Sequence, residues 1–207
     1  SDGTVGETVV NSATGEAIAD VPFSTRSEVD DAVAAARAAY TDWRERPVEE
    51  RIQPLFELKR LLEERQEAIA ETLVGEHGKT FDEAMGEIRR GIENVEVATG
   101  MPSLLQAGHL QNAAPDIDET AIRKPLGVFA GITPFNFPAM IPLWFLPYAV
   151  GSGNTYLLKP SEKTPLTANL LLQCIEAAGF PDGVVNLVNG GPGTVNAILE
   201  HDGVDGV

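Results

Sequence analysis

Gly127-Val-Phe-Ala-Gly-Ile-Thr-Pro-Phe-Asn-Phe-Pro138 is the stretch on which the fold of this chain turns. Its first half, Gly127 to Ile132, is a continuous apolar run bounded by turn residues, the pattern of a strand buried on both faces. Its second half is a turn stiffened by two prolines, and the apolar Met140 to Val150 that follows is long enough for a helix. The alternation then repeats. Asn154-Thr-Tyr-Leu-Leu158 reads as another buried strand, and Thr164 with Pro165 are an N-cap and first-turn proline opening a helix to Ala178, stopped by Gly179. Val184-Val-Asn-Leu-Val188 is a third strand, Gly193 to His201 a third helix, and Val204-Asp-Gly-Val207 reads like the opening of the next strand. Strand and helix in strict alternation predict a parallel sheet with crossover helices. Ligands of such sheets bind beyond the carboxyl ends of the strands, which points to the turns 133–138 and 159–163.

N-terminal to Pro125 the pattern is helical. Residues 7–23 read as two short strands around Ser12-Ala-Thr-Gly15. Ser27 opens a helix, with Asp30 three residues on as capping partner and Val29, Val33, Ala36 and Tyr40 as its apolar stripe. One long helix is expected over 48–76, with Ile52, Leu55, Phe56, Leu58, Leu62, Ile69 and Leu73 inward and Pro54 kinking its first turns. Thr80 with Glu83 forms a capping box for a helix reaching Leu105. Residues 107–122 lack helical period and are expected to be extended.

Composition sharpens that boundary. The chain has 207 residues, one large domain or one and a half at about 150 residues each. It holds 31 acidic and 15 basic residues, a net charge of −16, and most of that excess precedes Pro125. Such a field repels nucleic-acid phosphates and anionic lipid heads, so neither is an expected partner. It also suits a salt-rich environment, where screening removes self-repulsion. The one cysteine excludes an intrachain disulfide and a multi-cysteine metal site. No apolar run is long enough to span a bilayer and no leader is visible, so a cytoplasmic location is expected.

Cys174 lies mid-helix in phase with Leu170, Leu171 and Ala178, so a protonated, inert thiol without a cationic neighbour is expected. The three histidines are far apart and read as surface residues; no metal site is suggested. Gly190-Gly-Pro-Gly193 precedes a helix but does not match G-x-G-x-x-G, and Pro192 removes one amide donor. Asn136 is more informative. Pinned by aromatics at a strand end, its carboxamide can donate to a developing oxyanion, or else satisfy its own turn. Lys159 and Glu162, just beyond the next strand, can take the two hydroxyls of a ribose, or else form a surface ion pair.

Gly131-Ile-Thr-Pro-Phe-Asn-Phe-Pro138 and Leu158-Lys-Pro-Ser-Glu162, at their mutual spacing, resemble the aldehyde dehydrogenase superfamily, and the resemblance extends over essentially the whole chain. Phe135, where most members have tryptophan, together with Met140-Ile-Pro-Leu-Trp-Phe-Leu-Pro147 and Arg89-Arg-Gly-Ile-Glu-Asn-Val-Glu96, is similar to the methylmalonate-semialdehyde dehydrogenase branch, which acylates coenzyme A. The resemblance implies an α/β fold: a hairpin and helices of the cofactor domain over 1–106, an oligomerisation arm over 107–124, and an incomplete Rossmann-like NAD-binding core over 125–207. It implies Asn136 as the oxyanion amide, Lys159 and Glu162 as adenosine-ribose contacts, Thr133, Phe135 and Lys163 as further cofactor contacts, and Arg90 as a substrate-handling arginine. It also implies NAD as cofactor, coenzyme A as co-substrate, an aldehyde as substrate and a homo-oligomer, in the form of a homotetramer. The family's nucleophilic cysteine falls beyond Val207, so the chain is expected to be the N-terminal part of an enzyme more than twice its length and inactive alone. A hydrolytic aldehyde dehydrogenase and a non-catalytic cofactor-binding or assembly module are the alternatives.

Overall fold

β1 (Val5–Val10) and β2 (Ala17–Pro22) pair antiparallel across a turn in which Asn11 Oδ1 accepts from the amides of Ala13 and Thr14 at 2.9 and 3.2 Å. The computed structural model describes residues 5–207. α1 (Arg26–Trp43) is capped two residues before the expected position. Thr25, not Ser27, is the N-cap, because its hydroxyl takes the Glu28 amide at 3.2 Å while the Glu28 carboxylate takes the Thr25 amide at 2.8 Å.

The single helix expected over 48–76 is three: α2 (Val48–Arg51), α3 (Gln53–Glu64) and α4 (Gln66–His77). Pro54 has no N–H to continue the ladder, so the chain restarts at Ile52; a second break falls at Arg65. The restart turns Phe56 half outward and brings Leu61 into the core. Gly78, at φ 86°, closes α4 in the left-handed region that a side chain would strain. α5 (Phe81–Ala98) starts at the predicted Thr80–Glu83 box but stops short of Leu105, since Gly100 and Pro102 restart the chain as α6 (Met101–Leu104). β3 (His109–Ala114) and β4 (Ile117–Thr120) then form an antiparallel ribbon in which every residue is exposed.

The remainder alternates as expected: β5 (Val128–Ile132), α7 (Met140–Gly151), β6 (Thr155–Lys159), α8 (Pro165–Ala177), β7 (Val185–Leu187) and α9 (Pro192–Leu199). The strands are parallel in the order β5-β6-β7, with Val128 opposite Thr155 and Tyr156 opposite Val185. β6 is buried throughout. β5 is not: Phe129, Gly131 and Ile132 are part-exposed, because its other edge is covered only by residues 205–206. There the Asp205 amide donates to the Val128 carbonyl at 2.8 Å, the Ala130 amide to the Gly206 carbonyl at 2.9 Å, and Gly206 bridges Phe129 in parallel. The chain thus runs outward from β5 to β7 and returns to the opposite flank of β5. That reversal makes the carboxyl end of β5 a topological switch point, the usual ligand crevice of open α/β sheets.

The helical half and the sheet half share one core, in which Leu55, Leu62, Ile88 and Ile92 pack with Leu143 and Leu158. Polar bonds also cross between them. Trp43 Nε1 donates to the Val150 carbonyl at 2.9 Å. Two buried glutamates cap helices that are not their own. Glu87 of α5 accepts from the amides of Ala139 and Met140, at 2.8 and 3.1 Å, where α7 begins. Glu76 of α4 accepts from Leu166 and Thr167, each at 2.8 Å, at the start of α8. Thr164 is the N-cap of α8 by position, yet its side chain makes no cap bond; Pro165 has no amide and Glu76 takes the next two.

Burial pushes the Glu76 carboxyl up, against the pull of the Thr167 and Leu166 bonds. A group whose folded pKa is raised favours the fold fully below its unfolded pKa and loses that contribution as pH rises through the folded value. Glu76→Ala, which orphans two buried amides, should cost about 1–3 kcal/mol in urea unfolding at neutral pH. Glu76→Gln keeps an acceptor, should cost much less, and should abolish the pH-dependent loss. Equal stability of Glu76→Ala and the parent chain would dismiss the cap.

Candidate functional site

The 133–138 turn leaves the carboxyl end of β5, and the Thr133 amide donates to the Lys159 carbonyl at 3.0 Å, tying it to the end of β6. Asn136 is exposed, and its carboxamide makes no hydrogen bond among the described residues. It does not satisfy its own turn, as an asparagine placed for turn formation would. It lines a cleft of about 450 Å³ together with Arg90, Lys79, Glu87, Phe137 and His77. Arg90 stands on α5, whose buried face is Ile88, Ile92 and Val95 as the spacing predicts. Its neighbour Arg89 takes the acidic partners: Glu63 at 3.2 Å, Glu96 at 3.4 Å and Glu93 at 3.5 Å. Glu87 is paired with Lys79. Arg90 therefore makes no ion pair among the described residues, and its guanidinium lines the same cleft as the free amide.

The second group gathers at the end of β6. Lys159, the last residue of that strand, is only 3% exposed, so the surface ion pair is not what is found. Its Nζ lies 3.2 Å from Glu162. Burial pushes the Glu162 carboxyl up, but its own backbone amide, Lys159 and Lys163 outweigh that and hold it below the usual carboxylate range. Phe135 is half-exposed, with Lys163 Nζ 5.1 Å from its ring centroid. Phe135, Glu162 and Lys163 line a second cleft of about 340 Å³ against β1, and His77 lines both clefts. The sequence-predicted residues thus form two neighbouring sets, Arg90 with Asn136, and Thr133, Phe135, Lys159, Glu162 and Lys163. A third cavity, about 530 Å³ between β5 and α7, shares Thr133 but is walled by Phe129, Phe145, Tyr148 and Tyr156 and is lined by no charged side chain.

Three residues of the first cleft were not anticipated. Lys79 and Glu87 are buried beneath the turn, and His77, read as a surface residue, has a buried Nδ1 without a partner among the described residues. Burial, with Lys79 nearby, pushes the His77 imidazole down and favours its neutral form. The only signal in the sequence was an unusual string, His77-Gly-Lys-Thr80, between a helix stop and a capping box. His201 Nδ1 accepts from the Gly203 amide at 2.8 Å and His109 Nδ1 lies 3.0 Å from Thr120 Oγ1, both local contacts. Among the described residues no cluster suits a metal. Cys174 is fully buried and its thiol is pushed up by that burial. One expectation is corrected here: Arg65 lies beside it and pulls the other way, but burial outweighs the cation.

A strand-end site at the switch point of a parallel sheet, with a buried Lys159 beside a part-exposed Glu162 and a free amide on the neighbouring turn, stands where open α/β sheets take their ligands. The chain belongs to the aldehyde dehydrogenase family, whose model matches residues 2–207. It is 50% identical over 204 residues to malonate-semialdehyde dehydrogenase 1 of Geobacillus kaustophilus, covering 99% of this chain and 42% of that protein. The crystal structure of methylmalonate-semialdehyde dehydrogenase from Oceanimonas doudoroffii superposes with a TM-score of 0.95 at 44% identity, over 98% of this chain and 42% of that one. The NAD+ complex of an aldehyde dehydrogenase from Bacillus cereus superposes with a TM-score of 0.92 at 32% identity, over 97% and 41%. The chain therefore spans less than half the length of the relatives it matches.

Cys174 should be chemically silent in the native chain. Its alkylation by iodoacetamide is expected to be slower by on the order of tenfold or more than in denaturant. Equal rates would return it to the list of nucleophiles.

Proposed function

We propose that this chain forms the oxyanion and cofactor-ribose part of an NAD-dependent aldehyde dehydrogenase acting on methylmalonate semialdehyde or a closely related semialdehyde acid. The observation that carries the reading is the cleft in which the unpaired Arg90 and the hydrogen-bond-free Asn136 stand together. A semialdehyde acid presents a carboxylate and a carbonyl, and the cleft presents one group for each. The guanidinium suits bidentate carboxylate binding. The carboxamide suits the oxygen that becomes negative when a thiolate adds to the aldehyde carbon. That thiolate belongs to the part of the relatives that this chain does not span, since Cys174 is buried. Collapse of that adduct to the thioester would pass its hydride to NAD, and transfer of the acyl group to the thiol of coenzyme A would free the cysteine.

The residues at the end of β6 fit a dinucleotide. Lys159 Nζ has a single side-chain partner, Glu162, and that carboxylate is held in its charged form. Ammonium and carboxylate together offer donors and an acceptor to a vicinal diol; Phe135 and Lys163 line the same cleft as Glu162, and Thr133 ties the neighbouring turn to the end of β6. NAD, when bound, supplies the hydride acceptor. A 2′-phosphate would meet Glu162 with like charge, so NAD is preferred over NADP.

The β3–β4 ribbon reads as an arm for a homo-oligomer of the parent enzyme. A two-stranded ribbon is marginal alone, and Leu110 and Ile117 are each more than half exposed. The net charge of −16 reads as adaptation to high salt.

Substitutions at Asn136, at Lys159 or Glu162, and at Arg90 in the enzyme carrying this chain test the reading, with Arg89 as a control. Asn136→Ala should lower turnover by about 100- to 1000-fold with NAD affinity nearly intact; an unchanged turnover number would remove the oxyanion role. Lys159→Ala or Glu162→Ala should weaken NAD binding by about 1–3 kcal/mol in a direct titration, and parent-like dissociation constants would strip both of that role. Arg90→Leu should raise KM for the semialdehyde acid far more than for propanal, whereas Arg89→Leu should affect both alike. A uniform effect of Arg90→Leu would discard the carboxylate anchor. Formation of free acid instead of acyl-CoA would make the enzyme hydrolytic.

A further inference from the structure

The turn that carries Asn136 is held from beneath by two charged side chains that the reaction as proposed does not use. Lys79 Nζ donates to the Asn136 carbonyl at 3.2 Å, lies 4.8 Å from the Phe137 ring centroid and pairs with Glu87. The other oxygen of Glu87 holds the amides of Ala139 and Met140. Both side chains are almost enclosed, Lys79 at 9% and Glu87 at 1% exposure. The main chain is therefore gripped at the residue and just beyond it, its own carbonyl by a cation and the exit of the turn by an anion. The grip is itself fixed in place, because Gly78 ends α4 and the Thr80–Glu83 box starts α5 on either side of Lys79.

This arrangement separates Lys79 from Arg90, the other cation of the cleft. The charge of Lys79 is matched by Glu87, so it does not compete for a substrate carboxylate. Its free donor is spent on a backbone carbonyl. The Asn136 carboxamide has no partner of its own among the described residues, so its direction is set by the backbone of the turn. A shift of about 1 Å in such a group can cost on the order of 100-fold in rate.

We propose that Lys79 is a positioning residue for the Asn136 amide, with Glu87 as its counter-charge. The proposal rests on the reading of Asn136 as the oxyanion donor. Its test is a double-mutant cycle in the enzyme carrying this chain, with Lys79→Met, Asn136→Ala and their combination. Lys79→Met alone should lower kcat by about 10- to 100-fold while the NAD dissociation constant and KM stay within about twofold, a split that general loosening of the fold would not give. Combined with Asn136→Ala, it should add almost nothing, since the group it positions is gone. Should the unpaired Glu87 prevent folding, Lys79→Met with Glu87→Gln removes both charges, keeps an acceptor for the Ala139 and Met140 amides, and should show the same kcat loss and the same non-additivity. Multiplied losses in the combined variant, or normal turnover after Lys79 is replaced beside an impaired Asn136→Ala, overturn the positioning role alone. An Asn136→Ala enzyme with normal turnover overturns the oxyanion reading, and this proposal with it.

Discussion

Two carboxylates, Glu76 and Glu87, sit in the interior of this chain against the N-termini of helices to which they do not belong. The first amides of a helix have no partner within it and must be satisfied from elsewhere. α7 and α8 follow the strand ends at which the site is built, and neither has a side chain of its own to do this. The partners come from α4 and α5, so the helical layer completes the sheet layer. Neither half is a finished structure alone, although composition changes sharply near Pro125. The Trp43 bond to Val150 and the shared apolar core bind the same two halves.

The same construction sets the division of labour in the two clefts. On the Asn136 side, the cation nearest the turn is consumed by Glu87, leaving Arg90 as the cation without an acidic partner among the described residues. On the Lys159 side, a buried ammonium is paired with a carboxylate that is still part-exposed and lines a cleft. Electrostatic roles are thus assigned by which acid each base meets. Lys79 and Lys159 are both nearly buried lysines beside a glutamate; one glutamate is shut in by helix amides and the other opens to a cleft.

Much of what depends on short-range spacing was legible in the sequence, although the breaks within 48–76 were not. The Thr80–Glu83 box, the α5 face of Ile88, Ile92 and Val95, and the order of the parallel elements all follow from period and capping chemistry. The strand-end turns could be located for the same reason, since a parallel sheet has one productive edge. What stayed hidden were bonds between residues far apart in the chain. Glu76 and Thr167 are 91 positions apart, Lys79 and Asn136 57, and Glu87 and Ala139 52. A glutamate at the end of a helix looks the same in sequence whether it faces solvent or the N-terminus of a distant helix. The misplaced start of α1 is a smaller case, in which two hydroxyl residues, each with an acid three residues on, competed and Thr25, whose partner is the longer glutamate Glu28, prevailed.

The filled helix ends also govern where a nucleotide's phosphates can go. In many α/β sheets the helix after the first strand offers its N-terminal amides and positive dipole end to a phosphate. Here the corresponding amides of α7 are bonded to Glu87, and those of α8 to Glu76. A polyanion approaching either end meets a carboxylate and finds the donors already spent. Of the three helices that follow strands, only α9 begins without such an acid, at Gly191. The N-termini of the first two crossover helices therefore offer a diphosphate no free donor, unlike a glycine-rich first turn.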